Sequence, residues 1–162
     1  MTSPTARSAG VAAWIAFAAG MTHAAVSAYW ALGGRLLLDT VGPWAEELGA
    51  EAPILSGLLL GVIAIAKILA SVFPILVLHD RLLPVRLWRA ACWVGGGILL
   101  AYGGVNALVA NAVLLGAVRT GSGYDPPAMI GHAYLWDPLF AVWGAAVITA
   151  MWFSKPIRNV TR

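Results

Sequence analysis

The chain has 162 residues, 60% of them hydrophobic and 10% charged, with a formal net charge of +3. A soluble domain carries about 25% charged residues; this composition and a mean hydropathy of +0.83 exclude an ordinary water-soluble domain, and the stretches between the apolar runs are too short to bury a core of their own. A pI of about 9.4 does not mark a nucleic-acid binder, because Arg7, Arg81, Arg86, Arg89, Lys155, Arg158 and Arg162 all flank one set of span ends, while Asp39, Glu46, Glu47 and Glu51 share the first connection.

Four apolar runs are long enough to cross a bilayer, which needs roughly 20 residues of helix. The spacing predicts spans over 10–32, 54–78, 87–118 and 133–153, in a single membrane domain covering residues 1–162. Met1–Ala28 also has the outline of a signal peptide, with Arg7 before an apolar stretch and Val26-Ser27-Ala28 as a cleavage site. Apolar character continues through Tyr29-Trp30-Ala31-Leu32, however, and completes a span.

The first connection, Gly33–Pro53, mixes acids with Leu36, Leu37, Leu38, Val41, Trp44 and Leu48, which suits a segment lying on the membrane surface. Trp30 and Trp44 fit an interfacial aromatic belt. His79–Arg86 is a tight basic turn. The third span would give about 48 Å of helix, more than the roughly 30 Å of hydrocarbon, so it tilts, bends near Gly103-Gly104 or projects. Arg119–His132, with Gly121, Gly123, Pro126 and Pro127, reads as a turn-rich loop. Trp136-Asp137-Pro138 reads as a helix start, with Asp137 at the N-cap and Pro138 at N1. Basic residues at the termini and in His79–Arg86 place both termini in the cytoplasm by the positive-inside rule.

One residue stands against the apolar background. Lys67 is the sole charge in the second span. On insertion scales a lysine at that depth costs at least about 2.5 kcal/mol, so such a group has a partner or a function. Around His23, Lys67 and Asn106 the positions three, four and seven away are rich in Ala, Gly and Ser, which let membrane helices approach closely. These three stripes are expected to face one another inside the bundle, at similar depth. The carboxylates all lie higher: Asp137 falls near the outer mouth of the fourth span and no acid lies deep in any span. The expected partner of Lys67 is therefore an exogenous anion or an outer-loop carboxylate brought inward.

Other chemistry finds little footing. Cys92 is the single cysteine, so neither an internal disulfide nor a cysteine metal site can form, and it reads as a small packing residue. His23 and His132 lie at different depths and no haem-attachment motif occurs. Ser27, Ser56 and Ser71 lack a base–acid set, and Gly95-Gly96-Gly97 lacks the lysine of a phosphate cradle. No cofactor is expected.

The run Tyr29-Trp30-Ala31-Leu32-Gly33-Gly34 after His23, a lysine in the second span and Trp136-Asp137-Pro138 together resemble a family of small bacterial, mainly actinobacterial, four-helix membrane proteins grouped as a domain of unknown function. The resemblance covers most of the chain and implies no activity, substrate or catalytic residue.

The expectation is an all-α membrane protein, a four-transmembrane-helix bundle in the bacterial plasma membrane. Its partners are the lipid bilayer and a small amphipathic or anionic ligand, not nucleic acid; the oligomeric state, a homo-oligomer included, stays open. The ligand site, serving binding and with it transport or sensing, would open outward between the spans, with Lys67 supplying charge, His23 and Asn106 hydrogen bonds, Trp30, Tyr102 and Trp136 an aromatic wall, and Asp137 at the mouth. A membrane enzyme using His23 on a lipid-like substrate, and a structural or accessory subunit, are the alternatives.

Overall fold

The computed structural model describes residues 3–121 and 123–154, so Lys155, Arg158 and Arg162 of the basic tail lie outside the described residues. Helix α1 (Pro4–Ala31) starts before the expected Gly10, because the sequence supplies both a cap and a preset φ there. Ser3 Oγ accepts from Ala6 N at 3.2 Å, and Pro4 takes the first turn, where its missing N–H leaves nothing unmade. The buried face of α1 runs Ala9, Ala12, Ala16, Ala19, Gly20, His23 and Ser27 at helical spacing. A short helix α2 (Pro43–Glu51) lies in the first connection, with Ala45 buried and Trp44 exposed. Helices α3 (Pro53–Leu78) and α4 (Val85–Leu114) follow, joined through the basic turn.

The last span is compound: α5 (Pro126–Gly131), a π-helical turn (His132–Trp136) and α6 (Asp137–Phe153). It begins earlier than the sequence reading places it. Arg119–His132 is not a loop throughout, because Asp125 Oδ1 accepts from Ala128 N at 3.3 Å and Pro126 supplies the first turn. Asp137 therefore caps nothing: Trp136 before it is already helical. The third span is correspondingly shorter than expected, ending at Leu114, and Gly116 turns the chain with φ +71°.

The packing order is α3, α1, α6, α4. Helix α1 lies between α3 and α6, α6 lies between α1 and α4, and α3 and α4 touch little. Hence 44% of the apolar window of α1 and of the last span is buried, against 22% in α3 and 17% in α4. The seam left between α3 and α4 is floored by Trp143 and Val147 of α6. Small residues set the close approaches. A Cβ on Gly20 would come 2.6 Å from Ser71 Cβ; one on Gly103 would strike the Asp137 carbonyl; one on Gly144 would come 2.5 Å from the Gly96 carbonyl. The outward faces expose Trp14, Ile15, Leu58, Val62, Leu69, Ile98 and Leu108. Small residues inside and large apolar ones outside are what a helix bundle in hydrocarbon requires.

Gly144→Ala should therefore wedge α4 from α6 and lower stability by about 1–3 kcal/mol, the usual range for overpacking. Gly97→Ala meets nothing within 4 Å and should be neutral or slightly stabilising. Thermal unfolding of both variants in detergent checks the pair, and equal melting temperatures would contradict this packing.

Candidate functional site

Lys67 lies on the α3 face that buries Ala64, Ser71 and Pro74. Its Nζ donates to Ser27 Oγ of α1 at 2.9 Å and stands 5.5 Å from the centroid of the Phe140 ring of α6. An ammonium over an aromatic face is attracted by the ring quadrupole. Three N–H donors are available on an ammonium. Among the described residues one of them is used, and no carboxylate reaches Lys67 within ion-pair distance.

Phe140 is the hub of the cluster. The His23 ring stacks on it with centroids 3.9 Å apart and planes at 22°, and Tyr102 of α4 meets it edge-on at 5.7 Å. His23 is buried, and its Nε2–H donates to the Trp136 carbonyl at 3.2 Å. Trp136 in turn meets Trp30 edge-on at 5.3 Å. Trp30 Nε1 donates to Leu36 O at 2.9 Å, tying the end of α1 to the first connection.

The π turn widens the last span where these contacts converge. Pro138 has no N–H, so it cannot serve Ala133 O, the acceptor five residues back that a π turn calls for. Asn111 of α4 supplies a substitute, its Nδ2 donating to Ala133 O at 3.4 Å. The turn is also clasped to the first connection. Trp136 Nε1 donates to Thr40 Oγ1 at 3.0 Å, and His132 Nε2–H donates to Val41 O at 3.3 Å. His132 Nδ1 then shares a proton with Asp137 Oδ2 at 2.8 Å. Asp137 is 1% exposed and makes no other side-chain hydrogen bond among the described residues.

Two cavities lie along one face of α4. The first, about 230 Å³, is lined by Tyr102, Asn106, Val109, Ala110, Met129, His132 and Asp137. The second, about 120 Å³ and nearly all apolar, lies in the α3–α4 seam among Ala70, Phe73, Trp88, Gly95, Leu99 and Trp143. The α4 positions Gly95, Leu99, Tyr102, Asn106 and Val109 alternate steps of four and three, so one stripe serves both cavities. Lys67 lines neither. Its neighbours lead toward each: Ala70, three residues along α3, lines the apolar cavity, and Tyr102, which abuts Phe140, lines the other. Trp143 is buried against the apolar cavity, and its indole N–H is the one buried side-chain polar atom among the described residues without a hydrogen-bond partner.

The structure thus groups the residues singled out from the sequence in two sets. His23, Trp30, Lys67, Tyr102 and Trp136 gather around Phe140 or its neighbour Trp136, whereas Asn106, Asp137 and again Tyr102 line the polar cavity. Asn106 makes no contact with Lys67 at hydrogen-bond distance. The helical run starts at Pro126, so Asp137 lies about 16 Å along its axis at 1.5 Å per residue and is buried rather than at a helix start. It is spent on His132 rather than on Lys67, and no outer-loop carboxylate reaches Lys67 either. Ser27 is legible as the residue one turn after His23 on the same small-residue stripe; Phe140, an aromatic in an apolar run, carries no signal of its own.

Four helices long and apolar enough to cross a membrane, joined around an intrabundle polar cluster, define a multi-pass helical membrane protein. The chain belongs to the family described as protein of unknown function, DUF3995, whose model matches residues 20–147 and so takes in every candidate residue named above. No curated protein and no solved structure matches it.

Thr40→Val keeps the shape of the clasp but removes the acceptor of the Trp136 indole. A buried donor left unmade costs about 1–3 kcal/mol, so this variant should melt earlier and exchange amide hydrogens faster over 38–42. Unchanged exchange there would show that the clasp does not hold the connection.

Proposed function

We propose that the protein binds a small amphipathic or anionic molecule in the groove between α3 and α4, with the anionic group at Lys67. One observation carries this reading. The ammonium has one hydrogen-bond partner and no carboxylate among the described residues, and Ala70, three residues along the same helix, lines the apolar cavity. A half-buried ammonium in hydrocarbon retains a strong demand for acceptors. The apolar cavity suits an aliphatic tail, and the weak contact between α3 and α4 gives lateral access from the bilayer. His23 is better suited to orient this cluster than to act as acid or base, because its Nε2 proton is committed to Trp136 O and its ring is stacked on Phe140.

The setting that goes with this reading is the bacterial plasma membrane, with both termini cytoplasmic and the polar cavity toward the outer leaflet. Single cysteines at Ser3 and Glu47 in a Cys92→Ala background test it. An impermeant thiol reagent on intact cells should label the Glu47 site and spare the Ser3 site; the reverse pattern would overturn the orientation.

Lys67→Met keeps much of the side-chain volume and removes the charge. The variant should insert and fold, with equal or higher thermal stability, because an intramembrane charge is costly. Its affinity for dodecyl phosphate, read by native mass spectrometry, should fall at least about tenfold, since a charge-assisted hydrogen bond is worth about 1.5–3 kcal/mol. A variant that fails to accumulate, while ligand content per folded molecule stays unchanged, would make the lysine structural and the protein an accessory subunit.

A further inference from the structure

We infer that the first connection holds a second, separate site: the anionic head group of a membrane lipid at Arg35 and the first turn of α3, with part of one acyl chain beneath α2. Two cavities adjoin here. One, about 120 Å³, is lined by Gly33, Gly34, Arg35, Gly49, Pro53 and Gly57. The other, about 150 Å³ and nearly all apolar, is lined by Val41, Trp44, Ala45, Leu48, Leu59 and Ile63. Trp30, Leu38, Ser56 and Leu60 line both, so the two share a wall. Ser56 is the residue that points to a ligand. It is 7% exposed, stands in that shared wall, and its hydroxyl makes no hydrogen bond among the described residues. The other buried serines are satisfied: Ser27 accepts from Lys67, and Ser71 donates to Ile68 O. A buried hydroxyl without a partner is costly, and here the open side is the cavity.

The charge in that cavity is positive. The Arg35 guanidinium lines it and makes no ion pair and no hydrogen bond among the described residues. The connection carries Asp39, Glu46, Glu47 and Glu51, yet none of them pairs with Arg35 and none lines either cavity. Helix α3 brings the positive end of its dipole to the same place. Its N-cap, Ala52, supplies no side-chain bond, and Pro53 opens the first turn. A guanidinium, a hydroxyl and an uncapped helix start are the donors that hold a phosphate. The apolar cavity supplies the rest. A space of about 150 Å³ lined by apolar side chains stays dry and admits an apolar group the size of benzene, which a stretch of one acyl chain fills. Trp30 and Trp44 flank it, as tryptophans do at the head-group level of a bilayer. Ser56 precedes Lys67 by eleven residues of α3, roughly 16 Å of rise, so this site is distinct from the one at Lys67.

Delipidated protein in non-ionic detergent, titrated with dioctanoyl phosphatidylglycerol or phosphatidylcholine and read by amide hydrogen exchange across α2, tests this. The glycerol lipid should slow exchange there at a concentration at least about fivefold below that of the choline lipid, since a hydrogen bond to a charged group is worth that much. Arg35 is exposed, so Arg35→Gln should fold, and it should erase the preference. Lys67→Met should leave the preference intact. Ser56→Ala should raise the melting temperature of the delipidated protein, because it removes an unmet hydroxyl, and should weaken protection by the glycerol lipid. Inorganic phosphate should not displace the lipid; displacement by it, with the same protection of α2, would make the ligand a free anion and remove the acyl chain from the site. Equal protection by the two lipids, or an Arg35→Gln variant that keeps the preference, would overturn the head-group site. Protection lost in Lys67→Met and kept in Arg35→Gln would do so too, by moving the lipid to Lys67. A Ser56→Ala variant that melts earlier and binds like the parent would make the hydroxyl structural and overturn its part in the site.

Discussion

The Lys67 ammonium donates to the hydroxyl of Ser27 and lies over the ring of Phe140. Those two contacts bring α1, α3 and α6 to one point. In hydrocarbon such a charge cannot be left to lipid, and a lysine at that depth must snorkel or find acceptors and π-faces within the bundle. Ser27 can reach it because α1 presents a face of Ala, Gly and Ser that lets α3 come close. Phe140 can reach it because Gly103 and Gly144 admit α6 tightly against α4, which fixes the ring between His23 and Tyr102.

The same constraint explains the irregular last span. A straight helix starting at Pro126 and containing Pro138 would leave a carbonyl without its donor. The π turn shifts the pairing by one residue, and Asn111 attends to Ala133 O. The widened turn also directs the Trp136 carbonyl to His23 and turns His132 and Asp137 toward each other. π turns concentrate at functional sites, and here His132 opens the turn and Asp137 follows it, both lining the larger of the two cavities. The clasp through Thr40 and Val41 ties the first connection to that turn.

The four spans were legible because hydrophobic runs of that length have few other readings. The start of the last span was not, since glycines and prolines at 121–127 carry turn propensity while Asp125-Pro126 equally makes a cap and first turn. That one boundary made Asp137 a helix start rather than a buried residue inside a longer helical run. Depth along each helix predicted that His23 and Lys67 share a level, and Ser27 stood on the same stripe. Depth says nothing of rotation about the axis between helices, so Asn106, level with Lys67 by count, instead lines the cavity with Asp137. Phe140 was invisible because ring stacking depends on which helices are neighbours, a property of the whole bundle.

The Lys67 ammonium thus has one hydroxyl and one aromatic ring as its contacts among the described residues, and no carboxylate. High-resolution structure determination in membrane patches extracted without detergent addresses this most directly. The account predicts an acceptor of non-protein origin within hydrogen-bond reach of Lys67 Nζ, continuous with tail density passing Leu99 and Gly95. A closed α3–α4 seam, with the ammonium satisfied by protein groups alone, would contradict it.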